Sequence, residues 1–334
     1  KCVTNKQTGD SMNTNNVYEK IYEYCNIQGK AATKNGFAVP KRVRKIEEML
    51  KEANISYTLE SFVGRSFNNF YHNIYCKGNS SLCFTAHHDI TGASAAANDN
   101  SASVINMIAL KMNRPDANIV FTDGEEVGGI GAELFAKQLS IGPMPHLQAI
   151  LNLELTGLGG KRFFIENIEK PSSNNFISNQ EWFRSNPEIA SALGMNLSEQ
   201  QLSEQQSSEQ INETKSKLTE LIMNMPEFDY GTGLPVPQVD APFNDAFIFR
   251  DYNIDSIVIN PLPQLLPDGK TRESFPRKKI TFSDGTPLDF TIVSRCNGRK
   301  DTIDTISTAD MKEFVEEVLI PIFDTWQRTY PYLK

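Results

Sequence analysis

Long apolar runs are missing from this 334-residue chain, and none approaches the roughly 20 residues that a membrane-spanning helix requires. A soluble chain that does not itself span a membrane is therefore expected. An excess of positive charge is missing too. The net charge is -8 and the pI is near 5.2. No basic patch with interleaved aromatics occurs, which argues against a nucleic-acid partner. Cysteine is sparse and odd in number: Cys2, Cys25, Cys76, Cys83 and Cys296 lack metal-ligand spacing, which excludes a cysteine-based zinc knuckle. Cys76 and Cys83 flank the turn-like Gly78-Asn79-Ser80-Ser81 and are expected to face each other across a hairpin. They are read as packed thiols, with a disulfide as the alternative in an oxidising compartment. Histidine is scarcer still, with only His72, His87, His88 and His146. The chain begins at Lys1 without Met, which is read as a processed or trimmed N-terminus with a lean towards export. Compartment and oligomeric state stay open.

What is present suits a globular α/β protein. The chain is 39% hydrophobic and 22% charged. The pattern predicts a short helix near Val17 to Cys25 and a helix from Pro40 to about Ala53. The basic run Lys41-Arg42-Val43-Arg44-Lys45 falls in the latter. Val43, Ile46 and Leu50 share one face there, so the charges are expected to form a solvated face. Strands are predicted at Ser56 to Phe62, Phe70 to Cys76, Leu82 to Ala86, Ala117 to Thr122, Gln148 to Leu155, Arg162 to Glu166 and Ile254 to Ile259. Helices are predicted at Ser101 to Lys111, Gly131 to Leu139 and Thr308 to Trp326, the last capped by Ser307 or Thr308. Alternating buried strands and helices indicate an α/β sheet with mostly parallel central strands. The whole chain, 1–334, is read as one domain. Residues 167–230, with the low-complexity run 197–210, are read as a solvated insertion or surface helix within it rather than a second domain.

Chemistry gathers at strand ends. Leu82 to Ala86 runs into His87-His88-Asp89, Ala117 to Thr122 into Asp123-Gly124-Glu125-Glu126, and Gln148 to Leu155 carries Asn152-Leu153-Glu154. Asn98-Asp99-Asn100-Ser101 opens the intervening helix. In open α/β sheets ligands bind beyond the carboxyl ends of strands, so these segments are expected to converge. Singly, each has a plain reading: a packed His, a helix-start acid, a solvated acidic pair. Glu154 is harder to set aside, because an acid in an apolar strand needs a partner. Jointly the set reads as a two-metal hydrolase site. A carboxylate such as Asp99 bridges cations, one of the adjacent Glu residues binds metal and the other accepts a proton. Asp89 is placed to hold the His87 tautomer, or is an ordinary turn acid.

At these residues the sequence resembles the co-catalytic zinc aminopeptidases, the exopeptidase family that also contains the glutaminyl cyclases and glutamate carboxypeptidases. The matching segments are Ala86-His87-His88-Asp89, Asn98-Asp99-Asn100-Ser101-Ala102-Ser103, Asp123-Gly124-Glu125-Glu126-Val127-Gly128 and Leu151-Asn152-Leu153-Glu154, then Asn244-Asp245-Ala246-Phe247 and Asn297-Gly298-Arg299-Lys300-Asp301-Thr302. The resemblance implies a three-layer, phosphorylase/hydrolase-like α/β fold: a mixed sheet, mostly parallel in its centre, flanked by helices. It implies zinc, one ion or two. His87 binds the first metal, Asp99 bridges, Glu125 is the general base and Glu126 binds the second metal. Glu154 stands where the family usually has Asp. Asp89, Asp245 and Asp301 are read as supports behind the ligands, with Asp245 or Asp301 as the alternative to make up for a missing ligand.

The chain also departs from the family pattern. The family's last ligand is a His four residues before the Asp of His-Thr-x-x-Asp-Thr, where this chain has Asn297, and an upstream Asp-His pair reads Asp245-Ala246. An amide oxygen suits Mg, Mn or Ca better than zinc, so the second position is expected to be weak, empty or filled by a harder cation. Three readings follow. The first is a metal-dependent aminopeptidase removing N-terminal residues from peptides. The second is a degenerate relative that binds a peptide or other ligand without turnover, and the third is a glutaminyl-cyclase-like transferase. Glu166, Asp229, Asp240 and Asp245 are candidates to hold a free amine, or are plain surface acids. The Gly- and Pro-rich stretch from Tyr230 to Pro242 is a candidate pocket rim, or an ordinary loop.

Overall fold

The computed structural model describes residues 12–64 apart from 15, 26 and 28–38; 70–161 apart from 91–93 and 140–145; and 163–167, 216–228, 238–240, 244–261, 279–281, 287–289 and 301–331. The strands are β1 (Thr58–Val63), β2 (Phe70–Cys76), β3 (Leu82–His87), β4 (Asn118–Thr122), β5 (Ala149–Leu153), β6 (Phe163–Asn167), β7 (Gln238–Asp240) and β8 (Asp255–Pro261). They form one sheet in the order β1-β2-β4-β3-β5-β8-β6-β7, and β9 (Lys279–Thr281) and β10 (Pro287–Asp289) form a separate ribbon. The central neighbours β4-β3-β5-β8 are parallel, while β1, β2 and β6 introduce antiparallel pairs. The expected mixed sheet with a parallel centre is what forms.

Parallel central strands are covered on both faces, so they read as unbroken apolar runs rather than as alternation. Every residue of β3, β4 and β5 is buried. Their side chains still divide by pleat parity. Leu82, Phe84, Ala86, Ile119, Phe121, Ala149, Leu151 and Leu153 join the larger core on one face. Cys83, Val120 and Ile150 join a smaller core on the other.

On the larger side lie α1 (Lys20–Tyr24), α2 (Lys41–Glu52), α3 (Ala102–Asn113), α5 (Lys217–Met223), α7 (Thr308–Phe314) and α8 (Ile320–Thr329). On the smaller side Phe135 and Ala136 of α4 (Ile130–Leu139) pack with Phe249 of α6 (Asp245–Asp251). Helices on both faces of one sheet give three layers.

Four sequence expectations need correction. Cys76 and Cys83 do not face each other across a hairpin, because β4 inserts between β2 and β3. The two thiols are free and buried in opposite cores. The basic run on α2 is not wholly solvated: Lys41 and Arg44 are exposed, but Arg42 is buried. The end of the predicted insertion is not surface material. Ser216 caps α5 by accepting from the Thr219 amide, and Leu218 and Ile222 enter the larger core. Residues 168–215, including 197–210, lie outside the described residues. Finally, the C-terminal helix starts at the predicted Ser307 cap but passes through a π-turn at Val315–Leu319. Pro321, at the start of α8, cannot donate back to the preceding turn, and the helix widens there.

Candidate metal centre

β3 and β4 end level, with His87 registered opposite Thr122, so the segments that follow them leave the sheet side by side. After β3, His87 is buried at 1% exposure and Asp89 follows it. After β4, Gly124 (φ 78°) and Gly128 (φ 107°) bracket the turn Glu125–Val127 in left-handed conformations that suit glycine. At Gly124 a Cβ would also stand 2.9 Å from the Tyr71 ring. The Asp89 carboxylate ties the two segments together. Its oxygens accept from the Glu125 amide (3.2 Å) and the Glu126 amide (3.1 Å). One of them also lies 3.4 Å from His87 Nδ1.

Asp99 comes from the π-turn Ala97–Ser101 that precedes α3. Asp99 and Asn100 leave helical geometry inside that turn, and their peptide bond is cis. The turn is held from outside: the Asp301 carboxylate accepts from the Asn98 amide (2.7 Å) and the Asp99 amide (2.9 Å). Asn98 Oδ1 in turn accepts from the Gly157 amide at 2.7 Å. Glu154, just beyond β5, has both oxygens engaged. Asn152 Nδ2 donates to Oε1 at 3.0 Å, and Asn100 Nδ2 donates to Oε2 at 2.8 Å. Thr85 on β3 fixes Asn152 by donating to its Oδ1 at 2.8 Å.

These segments converge. His87 Nε2 lies 3.1 Å from Asp99 Oδ1 and 3.5 Å from Glu154 Oε2. One donor atom each from His87, Asp99 and Glu126 lie within 4.8 Å of one another. Asp245, at the start of α6, is fully buried and accepts from Thr122 Oγ1 at 2.6 Å. Thus 87, 99, 126 and 154, expected to meet, are brought together, with Asp89, Asp245 and Asp301 behind them. Asn297 and Asp229 lie outside the described residues, as do the side chains of Glu166 and Asp240 and most of the predicted rim. Ala246 is buried on the smaller side against Val258.

The electrostatics describe a place short of positive charge. Burial pushes Glu126 up to about 8, with Asp99, Asp89 and Glu154 adding to the shift and His87 opposing it. Burial likewise raises Asp245 to about 7, against the hydrogen bond from Thr122. Glu125 moves well above the usual carboxylate range, again chiefly through burial, with Glu154, Asp245 and Asp89 adding. For His87, burial favours the neutral ring, but the Glu154 charge and the close Asp89, Asp99 and Glu154 carboxylates outweigh it and raise the ring well above the usual imidazole value. Among the described residues, Glu126 Oε1 and Asp245 Oδ1 are buried without a hydrogen-bond partner. One imidazole, again among the described residues, does not balance this many carboxyls, and a divalent cation does. An imidazole nitrogen with carboxylate oxygens is a donor set that zinc accepts, so the residues present fit a bound metal.

Three participants were missed in the sequence: Arg42, Asn100 and Asn152. Asn152 carried a readable signal, since a polar residue inside the apolar run of β5 needs a partner as much as Glu154 does. Arg42 carried none.

Sheet and donor cluster together define a three-layer α/β protein with a metal-competent centre at the carboxyl ends of its strands. The chain belongs to peptidase family M28, whose profile matches residues 69–319. Among curated protein sequences none matches. Similar solved structures include the LapA aminopeptidase of Legionella pneumophila, 10% identical over 93% of this chain and 71% of that one, with a TM-score of 0.52. A Zn-dependent exopeptidase from Parabacteroides distasonis is 15% identical over 94% and 99%, with a TM-score of 0.53. A glutaminyl cyclase from Bacteroides thetaiotaomicron, bound to N-acetylhistamine, is 14% identical over 94% and 98%, also with a TM-score of 0.53. At these identities the likeness speaks for the fold. Family membership and the donor cluster support a metal-dependent peptidase.

Proposed function

We propose that this chain is a zinc-dependent aminopeptidase that removes N-terminal residues from peptides. The observation that carries the reading is the approach of His87, Asp99 and Glu126 donors to within 4.8 Å of one another, with Glu125 adjacent on the same turn. His87, Asp99 and Glu126 hold the ion, and Glu154 completes the set from 3.5 Å beyond His87 Nε2. When bound, the cation polarises the scissile carbonyl and makes water a competent nucleophile at neutral pH. Glu125 accepts the proton from the attacking water and returns it to the leaving amine. Its backbone amide is anchored on Asp89, which limits where its carboxylate can reach. Burial and the neighbouring acids raise its proton affinity, which suits a group that must both take and give a proton.

A second reading, a relative that binds a peptide without turning it over, is favoured by Ala246 and Asn297, where the resembled pattern has histidines. One experiment separates the two. Chelator-stripped protein is reloaded with zinc, cobalt or manganese, and metal content is measured beside hydrolysis of aminoacyl-nitroanilides. Turnover that depends on metal and falls about 100-fold or more in Glu125→Gln, within the usual range for loss of a general base, supports the aminopeptidase. Metal uptake without turnover supports the binding protein. A Glu125→Gln variant as active as the parent removes the mechanism.

A further inference from the structure

The family match begins at residue 69, so α1 and α2 lie upstream of it. One side chain from α2 nevertheless reaches the back of the metal-competent centre. Arg42 is 2% exposed. Its Nε donates to the His88 carbonyl at 2.9 Å, and its Nη2 donates to Ser101 Oγ at 2.9 Å. Nη1 points at the Tyr24 carbonyl at 3.5 Å, and the guanidinium lies 4.0 Å over the Tyr24 ring. His88 directly follows the donor His87, and Ser101 closes the π-turn that carries Asp99. A single planar fork therefore links the two donor segments to each other and both to α1.

Those partners are all neutral. Burying a guanidinium against carbonyls and a hydroxyl is unfavourable unless its geometry is well used, and a flexible Lys at this position could not span both acceptors. The π-turn also needs such a tie. Its residues Asp99 and Asn100 lack helical dihedrals, and the helical bonds it keeps, Ser101 amide to Ala96 carbonyl at 3.0 Å and Ala102 amide to Ala97 carbonyl, do not fix the Asp99 side chain. Asp301 grips the turn from one side through two amides, and Arg42 grips it from another through Ser101.

We propose that Arg42 is a positioning residue that presets the separation of His87 and Asp99 for cation binding, acting from a helix outside the family match. The proposal rests on the reading that the centre binds a cation. Presetting matters because a donor pair that the ion must itself organise binds more weakly.

The test is metal affinity, measured by competition with a chromophoric chelator for zinc and by the visible absorption spectrum of the cobalt form. Full-length wild type is compared with Arg42→Met, Arg42→Lys, Ser101→Ala and Ile46→Ala. Ile46 is a buried α2 residue of the larger core, and Ile46→Ala controls for stability alone. Arg42→Met is expected to lose about 10- to 100-fold in zinc affinity, as outer-shell substitutions do, and to alter the cobalt spectrum. Arg42→Lys recovers part of the loss, and Ile46→Ala lowers the melting temperature without changing affinity. A folded Arg42→Met with wild-type affinity and spectrum overturns the proposal, as does an Ile46→Ala that weakens binding equally. If Arg42→Met fails to fold, Ser101→Ala decides: weakened binding supports the proposal and unchanged binding overturns it. A wild type that takes up no metal removes the proposed function along with this inference. A wild type that binds beside an equally competent Arg42→Met removes this inference alone.

Discussion

Replacing Asp89 by Asn is a sharp perturbation, because one carboxylate performs three tasks. It accepts from the Glu125 amide at 3.2 Å and the Glu126 amide at 3.1 Å, and it lies 3.4 Å from His87 Nδ1. Asn has nearly the same shape but one acceptor oxygen. That oxygen can serve one amide, and the NH2 group then confronts the other donor. A buried donor left unmade costs about 1–3 kcal/mol. The His87 ring also loses the anion that fixes its tautomer and presents Nε2 to the cluster. Its negative environment weakens at the same time, since the Asp89 carboxylate at 3.4 Å is one of the groups that raise His87. Outer-shell losses of this kind reduce metal affinity about 10- to 100-fold, which at ~1.4 kcal/mol per factor of ten agrees with the hydrogen-bond figure. Isothermal titration of stripped protein with zinc is the assay, with thermal unfolding measured alongside. Asp89→Asn that stays folded and binds zinc as tightly as the parent refutes the assignment of Asp89 as the link between His87 and the Glu125–Glu126 turn.

Asp301→Ala removes both acceptors that hold the Asn98 and Asp99 amides, and it should lower stability by about 2–4 kcal/mol in chemical denaturation. Unchanged denaturation midpoints would show that the turn holds its own shape. Acidification offers a separate check on the β1–β2 pair. Burial, helped by His88, lowers His72 from 6.5 to about 4. Between those values the unfolded chain binds a proton that the folded chain refuses, so this contribution to stability falls as pH drops through the window and changes no further below it. His72→Gln should therefore lose less stability than the wild type between pH 6.5 and 4. Parallel curves for the two proteins would place the buried ring in a different environment.

The parts of the fold legible in the sequence were those set by local pattern. Leu82 to His87, Asn118 to Thr122 and Ala149 to Leu153 are apolar runs that only a sheet covered on both faces can bury, and they form where expected. The Ser307 cap fixed the start of the last helix for the same reason. Strand order was not legible. The turn-like Gly78 to Ser81 suggested a hairpin, whereas β4 enters between β2 and β3 from 30 or more residues downstream. That choice is made by burial of the whole sheet, which no local turn reports. At the centre, metal-competent side chains at successive strand ends and at one helix start marked the converging segments, and the family resemblance picked out His87, Asp99, Glu126 and Glu154 among them. Their supports were harder to see. Arg42 lies in a basic run that also fits a solvated face, and its burial depends on where Tyr24 of α1 packs. Asn100 and Asn152 became visible as partners of Glu154 only when β5 was placed beside β3.

Metal-dependent catalysis here requires a cation seated among residues that the chain brings together from far apart. Anomalous diffraction at the zinc edge, from crystals of stripped protein soaked with zinc, tests this directly. The expected result is a peak bounded by His87, Asp99 and Glu126, with Glu154 alongside. A map without a peak there, from protein whose side chains hold the same arrangement, would contradict it.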